Sequence, residues 1–239
     1  PASETKSVLP KLLRAGVDVV RVNFSHGEYA EFERIVTDVR TIAKKLGCEI
    51  PILQDLQGPK LRVGEITEGT IYRRGDIVTL TTQKTLGDAE TIPVTYRGLP
   101  AAVKKGDMIL LKDGQIELEV LRKSSHSVTA LVRKGGPLAS HQGINLPGAT
   151  TDVPAVTAKD KRDLAWGLQH RVDWIAVSFV QSAADIERVR RSIARRVPSS
   201  RRPKLMAKIE KPLAVAGLQE IIDAADGVMV ARGGLGVEV

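Results

Sequence analysis

The chain has 239 residues, 42% of them hydrophobic, with a formal net charge of +8 and a single cysteine, Cys48. That length suffices for one large domain or two modest ones with real cores, and the apolar runs of four or five residues fall far short of the roughly 20 that span a bilayer. One cysteine excludes an intrachain disulfide and a multi-cysteine zinc site, and the opening PASETKSVLPK lacks the apolar core of a signal peptide, so a cytoplasmic location is expected.

In chain order, a first apolar run predicts a strand over Val17–Asn23. An amphipathic helix over Glu31–Leu46 follows, with Phe32, Ile35, Val36, Val39, Ile42 and Leu46 on one face and Gly47 as its stop. A second strand is expected over Ile50–Gln54. From about Arg62 to Gly148 the period changes to two: DIVTLTT, MILLKDG, QIELEVLR and SVTALVR alternate between turns such as Arg74-Gly75-Asp76 and Lys112-Asp113-Gly114, with no helix expected. The β/α alternation then resumes. Strands are expected over Val172–Phe179, Lys204–Glu210 and Gly227–Ala231, and helices over Ala158–His170, Ala183–Val197 and Pro212–Ala225, the last opening on proline.

The fold class that follows is α/β. An open doubly wound sheet and a (β/α)8 TIM-type barrel both satisfy the alternation. The polar residues decide for the barrel, because they gather where each strand ends: Asn23 and Ser25, Asp55, Ser178, Lys208 and Glu210, and a glycine turn at 233–236. Catalytic groups of such barrels sit at the carboxyl ends of several strands. Residues 1–61 are therefore read as the first part of a β/α barrel, 62–148 as an inserted β-barrel domain, and 149–239 as the continuation of the β/α barrel. The continuation is truncated after the sixth strand, which leaves the barrel incomplete in this chain.

Between Arg188 and Lys204 stand Arg188, Arg190, Arg191, Arg195, Arg196, Arg201, Arg202 and Lys204 with no acid, as many positive charges as the net excess of the whole chain. Ile186, Val189, Ile193 and Val197 run through the stretch at helical spacing. The absence of aromatic residues for stacking on bases favours a solvated helix face over a nucleic-acid surface.

In KLMAKIEKP, Lys208 and Glu210 are two apart and share a strand face. A carboxylate that holds a hard divalent ion beside an ammonium that neutralises a moving phosphoryl group suits phosphoryl transfer; a structural ion pair is the plainer reading of the same two residues. RVNFSHG repeats the spacing with Arg21, Asn23 and Ser25. Arginine is the natural bidentate phosphate clamp, whereas Asn23 and Ser25 taken singly read as helix caps. His26 has no second histidine at metal-ligand spacing.

Together RVNFSHG, LQDLQGPKLRVG, KDGQIELEV, GINLPG, VDWIAVSFV, MAKIEKP and VMVARGGLGVE stand in the order and spacing of pyruvate kinase, and the chain resembles that family over essentially its whole length. The resemblance implies transfer of the phosphoryl group of phosphoenolpyruvate to ADP, giving pyruvate and ATP, with Mg²⁺ or Mn²⁺ as cofactor. It also implies a homo-oligomer at full length, and it makes the inserted domain a mobile lid; proline and glycine at both crossings place its hinges near Pro59 and Pro147. By position, Lys208 resembles the lysine that stabilises the transition state, and Arg21 the arginine on the transferring phosphoryl group. Glu210 resembles a Mg²⁺ ligand. Asn23, Ser25 and His26 line the nucleotide side, with Arg62 towards nucleotide phosphate. Asn23, Ser25, Asp55 and the backbone of Leu56 match a monovalent-cation site, and Gly233 and Gly234 approach the substrate carboxylate.

Two residues depart from the family pattern. Where the family reads ARGDLGVE this chain reads ARGGLGVE, so Gly234 replaces a second Mg²⁺ carboxylate and leaves Glu210 as the remaining one. Lys60 stands where potassium-dependent members carry glutamate, and its ammonium argues against a K⁺ requirement. The threonine-bearing substrate loop and the C-terminal domain of the family are absent from these 239 residues. A non-catalytic relative that binds phosphorylated ligands or a partner chain is accordingly the alternative function.

Overall fold

The computed structural model describes Thr5, residues 7–149 and residues 153–238. Residues 1–4 and 6, on which most of the leader argument rests, lie outside these. Among the described residues, no helix is long and apolar enough to cross a membrane.

The chain opens with α1 (Leu9–Arg14), β1 (Val20–Asn23), α2 (Tyr29–Leu46) and β2 (Ile52–Asp55). A β-rich stretch follows: β3 (Ile71–Tyr72), β4 (Ile77–Thr81), β5 (Thr91–Pro93), the single turn α3 (Leu99–Ala102), β6 (Met108–Leu111), β7 (Ile116–Lys123), β8 (Ser127–Lys134), β9 (Gly136–Pro137) and β10 (Ile144–Asn145). Then come α4 (Ala158–Gln169), β11 (Trp174–Val177), α5 (Ala183–Ala194), β12 (Lys204–Ile209), α6 (Pro212–Ala216), α7 (Leu218–Ala224), β13 (Gly227–Val230) and α8 (Arg232–Glu238). Two compact units emerge. One comprises Pro1–Pro59, Ala155–Ile209 and Leu213–Val230; the other comprises Lys60–Pro154, Glu210–Pro212 and Ala231–Val239.

In the first unit five strands form one parallel sheet in the order β1-β2-β11-β12-β13, each joining beside the strand before it, with no reversal of order. One face of the sheet presents Val22, Ile52, Ile175, Val177, Leu205, Ala207 and Ile209 to a core shared with Phe32, Val36 and Val39 of α2, Leu164 of α4 and Ile186, Val189 and Ile193 of α5. Helix starts are fixed chemically. Thr157 and Ser182 each form a reciprocal capping box with Asp160 and Asp185, satisfying first-turn N–H groups that have no partner in the helix. The basic stretch behaves as a decorated helix face: Arg190 donates to the Ala224 carbonyl at 2.6 Å and Arg188 pairs with Asp185 one turn back.

In the second unit six strands run β10-β6-β7-β8-β4-β5, antiparallel except for β4 with β5. The segment Leu61–Gly64 joins its two edges. Val63 N–H donates to Gln142 and Ile144 N–H to Leu61 on one side, while Gly64 N–H donates to Pro93 and Thr95 N–H to Arg62 on the other. Alternate residues such as Val78, Leu80, Ile109, Leu111, Leu118, Val120, Val128 and Ala130 fill the interior. Tyr72 is buried there with its hydroxyl donating to the Asp88 carbonyl at 2.7 Å, and burial, then the Asp88 charge, pushes its pKa up to about 12.

The structure corrects several expectations. The glycine turn at 233–236 is instead the helix α8, whose first bond runs from Leu235 N–H to the Ala231 carbonyl. None of its three glycines uses a left-handed φ, so each carries only the helix-propensity penalty of about 1 kcal/mol. The helix expected over Pro212–Ala225 is broken at Gly217 into α6 and α7. The all-β stretch contains α3, which carries Pro100 in its first turn, where the ring is tolerated. Ser25 falls in a turn after β1, and β12 ends at Ile209, so Glu210 lies one residue past the strand.

Candidate active site

The polar strand-end residues of the first unit lie on the sheet face opposite the helices. Register makes this explicit: Asn23 pairs with Asp55, Asp55 with Ala176, and Ala176 with Met206. Side chains alternate along strands, so Arg21, Asn23, Asp55, Ala176, Ser178, Met206 and Lys208 share one face.

Asp55, 1% exposed, is the centre of the cluster. Its Oδ2 accepts from Arg21 Nε at 2.7 Å, with Nη2 at 2.5 Å, and its Oδ1 lies 3.1 Å from Lys208 Nζ. Ser178, also buried, donates its hydroxyl to the Leu56 carbonyl at 2.7 Å and accepts from Lys208 Nζ at 2.8 Å. A buried carboxylate between two cations is tolerable because each pairing offsets desolvation. Arg21, Lys208 and Asp55 together carry one surplus positive charge. The Arg21 side chain is half exposed, which suits the cluster to a multiply charged anion arriving from solvent.

The other expected residues fall as follows. Asn23 Oδ1 accepts from the Ser25 backbone N–H at 3.0 Å, a local turn rather than a helix cap, since the cap position of α2 is Glu28. His26 lines a cavity of about 570 Å³ with Arg21, Asn23 and Phe32. Asp55 and the Leu56 carbonyl are engaged by Arg21, Lys208 and Ser178 as described. In the second unit Arg62 donates to the His141 carbonyl at 2.8 Å, and Lys60 lies beside Gly143. The same unit holds both residues expected at the divalent ion. A Cβ added to Gly234 would stand 3.5 Å from Glu210 Cβ and 3.8 Å from its carboxyl carbon. Gly233 and Gly234 lie in the first turn of α8, whose N–H groups have no intrahelical acceptor.

Glu210 is 7% exposed, and among the described residues no three carboxylate, histidine or cysteine side chains gather as a metal site. Such a donor set fits Mg²⁺, which commonly sits on one or two carboxylates plus water and phosphate oxygens, and does not fit an all-protein cage.

Sequence reasoning missed the clamp beneath the site. Gly58, with φ +69°, donates its N–H to the buried carboxylate of Asp160 at 3.1 Å, and a Cβ there would meet Phe179 Cδ2 at 2.8 Å and Ser178 Cβ at 2.9 Å. The capping pattern Thr157-x-x-Asp160 was the available signal for half of it.

A family model described as "Pyruvate kinase, barrel domain" matches residues 1–239. Among curated proteins, the chain is 43% identical over 240 residues to a pyruvate kinase of Thermococcus litoralis, covering all of this chain and 50% of that protein. It is 41% identical over 243 residues to a pyruvate kinase of Corynebacterium glutamicum, again covering 100% and 50%. A crystal structure of a pyruvate kinase from Cryptosporidium parvum superposes with a TM-score of 0.93 at 31% identity, covering 100% of this chain and 50% of that one. The chain spans about half the length of the curated relatives it matches.

Proposed function

The chain belongs to the pyruvate kinase family, and from that premise we propose that it carries the phosphoryl-transfer half of a site that moves the phosphoryl group of phosphoenolpyruvate to ADP. In this reaction the phosphorus–oxygen bond to the enol oxygen breaks, a bond to the terminal phosphate oxygen of ADP forms, and the enolate takes a proton at carbon to give pyruvate. The observation that carries the reading is the Arg21–Asp55–Lys208 cluster. Asp55 holds both cations at fixed distances, so little reorganisation is needed when charge develops on the phosphoryl oxygens. Arg21 clamps the group from the solvent side, and Lys208 neutralises it from within the sheet. The first-turn N–H groups of Gly233 and Gly234 receive the substrate carboxylate. Asn23, Ser25, His26 and Arg62 serve the nucleotide. Glu210 would hold the divalent ion, which when bound screens the phosphate charges. Lys60 supplies a positive charge in place of K⁺.

The finer architecture belongs to the same proposal: part of a (β/α)8 barrel in residues 1–61 and 149–239, with a β-barrel lid in 62–148 that closes over the site and excludes water. The sequential parallel strand order and the segment joining both edges of the second sheet support it. A cytoplasmic location and a homo-oligomer at full length complete the reading.

Gly234 favours the second reading, a non-catalytic member that binds phosphorylated ligands. Pyruvate formation in a coupled assay, alongside calorimetric titration with phosphoenolpyruvate and ADP, separates the two. Turnover supports the kinase, ligand binding without turnover supports the second reading, and neither binding nor turnover refutes both.

A further inference from the structure

We propose that Ser178 is the positioning residue for Lys208; the inference rests on the assignment of Lys208 as the lysine acting on the phosphoryl group. A hydroxyl has one proton and two lone pairs. The Ser178 proton has two acceptors in reach, the Leu56 backbone carbonyl at 2.7 Å and Asp55 Oδ1 at 3.4 Å. The shorter bond takes it. The lone pairs then face Lys208 Nζ at 2.8 Å, so the hydroxyl acts there as an acceptor only. With Asp55 Oδ1 at 3.1 Å, it gives the ammonium one charged and one neutral acceptor from two neighbouring segments.

The acceptor is itself held. The Leu56 carbonyl is fixed because the Leu56 N–H donates to Ala176 at 3.1 Å, and the next turn is tied through Gly58 to Asp160. Ser178 is 2% exposed, and Phe179 after it takes a left-handed φ of +55°, a conformation that costs a bulky residue of order 1–3 kcal/mol and that persists only where the surroundings impose it. The chain turns away at Phe179, and the serine stays at the end of its strand. Donation therefore runs one way across three neighbouring strand ends, from the Lys208 ammonium to the Ser178 hydroxyl and on to the Leu56 carbonyl. Asp55 supplies charge to Lys208; Ser178 supplies direction.

The test compares the parent with Ser178→Ala, which deletes the hydroxyl, and Ser178→Cys, which fills the same space with a poor hydrogen-bonding partner. A misplacement of about 1 Å can cost about 100-fold in rate. Both variants are expected to lose about 10–100-fold in kcat for pyruvate formation, with KM for phosphoenolpyruvate and ADP within about 3-fold of the parent. Crystal structures of the three proteins supply a readout independent of turnover, in which Nζ of both variants is expected to leave its place between Asp55 and position 178. Recovery of kcat by cysteine would assign Ser178 to packing and overturn the proposal, as would Nζ unmoved in the alanine variant. Should the parent form no pyruvate, the assigned reaction fails, and the position of Nζ alone decides the role of Ser178.

Discussion

Restoring the family carboxylate by Gly234→Asp tests the divalent-ion assignment without relying on turnover. The backbone permits the change: position 234 is helical, and a Cβ there makes only ordinary van der Waals contact with Glu210 at 3.5–3.8 Å. In a rotamer turned towards Glu210, the new carboxylate therefore comes within about 4 Å of that side chain. Two like charges at that separation repel by about 4 kcal/mol at an effective dielectric of about 20. Partial exposure of position 234 and the favourable first-turn placement, about 0.3–1 kcal/mol, reduce this to a net loss of about 1–3 kcal/mol, or about 3–10 °C in Tm. A divalent ion reverses the sign. A first-shell oxygen should tighten Mg²⁺ by at least the roughly 10–100-fold seen when supporting groups are lost, which at saturation returns about 1.4–2.7 kcal/mol. The assay is calorimetric unfolding of parent and variant with EDTA and with Mg²⁺ in the millimolar range. The expected pattern is a variant less stable than the parent in EDTA whose deficit closes in Mg²⁺. Equal Mg²⁺ response in both proteins would show that position 234 does not face the ion.

Lys208→Met is expected to lower any pyruvate formation by at least about 100-fold while leaving circular dichroism unchanged, because Asp55 keeps Arg21 as its partner; turnover within a factor of two of the parent would remove Lys208 from the reaction. Gly167→Ala should cost about 2–4 kcal/mol in urea unfolding, since its Cβ would stand 2.0 Å from Gln54 Oε1 and the boxed-in amide would have to break its bond to the Asp163 carbonyl. Gln54→Met should cost no more than about 1 kcal/mol, because the lost bond to the Asp163 carbonyl is offset by removal of Oε1, buried without a hydrogen-bond partner; a loss above about 2 kcal/mol in the same assay would contradict this. For Tyr72 the folded pKa is raised above the unfolded value, so its contribution is intact below pH 10 and is lost as the pH rises towards about 12. Burial and the hydrogen bond to Asp163 also raise the pKa of Tyr29, so ultraviolet titration should show a latest-titrating tyrosine near pH 12 that Tyr72→Phe removes.

Much of the fold was legible because apolar periodicity and capping chemistry are local. The starts of the helices at Ala158 and Ala183 were read to the residue, and each follows a Ser or Thr with Asp three positions on; their ends were placed one and three residues too far. Strand ends were overextended at Val17 and Val172 because apolar residues continue into the turn before the ladder begins, and burial does not require pairing. The three glycines of α8 misled for the opposite reason, since low intrinsic propensity is a weak prior that tertiary context overrides. Residue types at the site were legible as well. What stayed hidden was the part made by main chain: the Leu56 carbonyl under Ser178, and the Gly58 N–H on Asp160. A carbonyl has no letter in the sequence.

Register explains why these particular residues meet. Asp55 is level with Asn23 and Ala176, and Ala176 with Met206. Two residues further up the same face, Ser178 and Lys208 therefore stand one step above Asp55. A lysine one step higher must lean back across β11 to reach Asp55 Oδ1, and the 3.1 Å contact shows that it does. Ser178, one residue past β11, occupies the position it crosses, where a short hydroxyl side chain leaves room for the lysine. Arg21 sits one step below Asn23 and reaches the same carboxylate from the other side. The positions of Arg21 and Lys208, one step to either side of the Asp55 level, thus let one carboxylate take a cation from below and a cation from above, on opposite oxygens. The anion-receiving geometry is consequently a property of strand register, and a change that slipped β12 by one residue would turn Lys208 to the helix face and end the site without altering any of its residues.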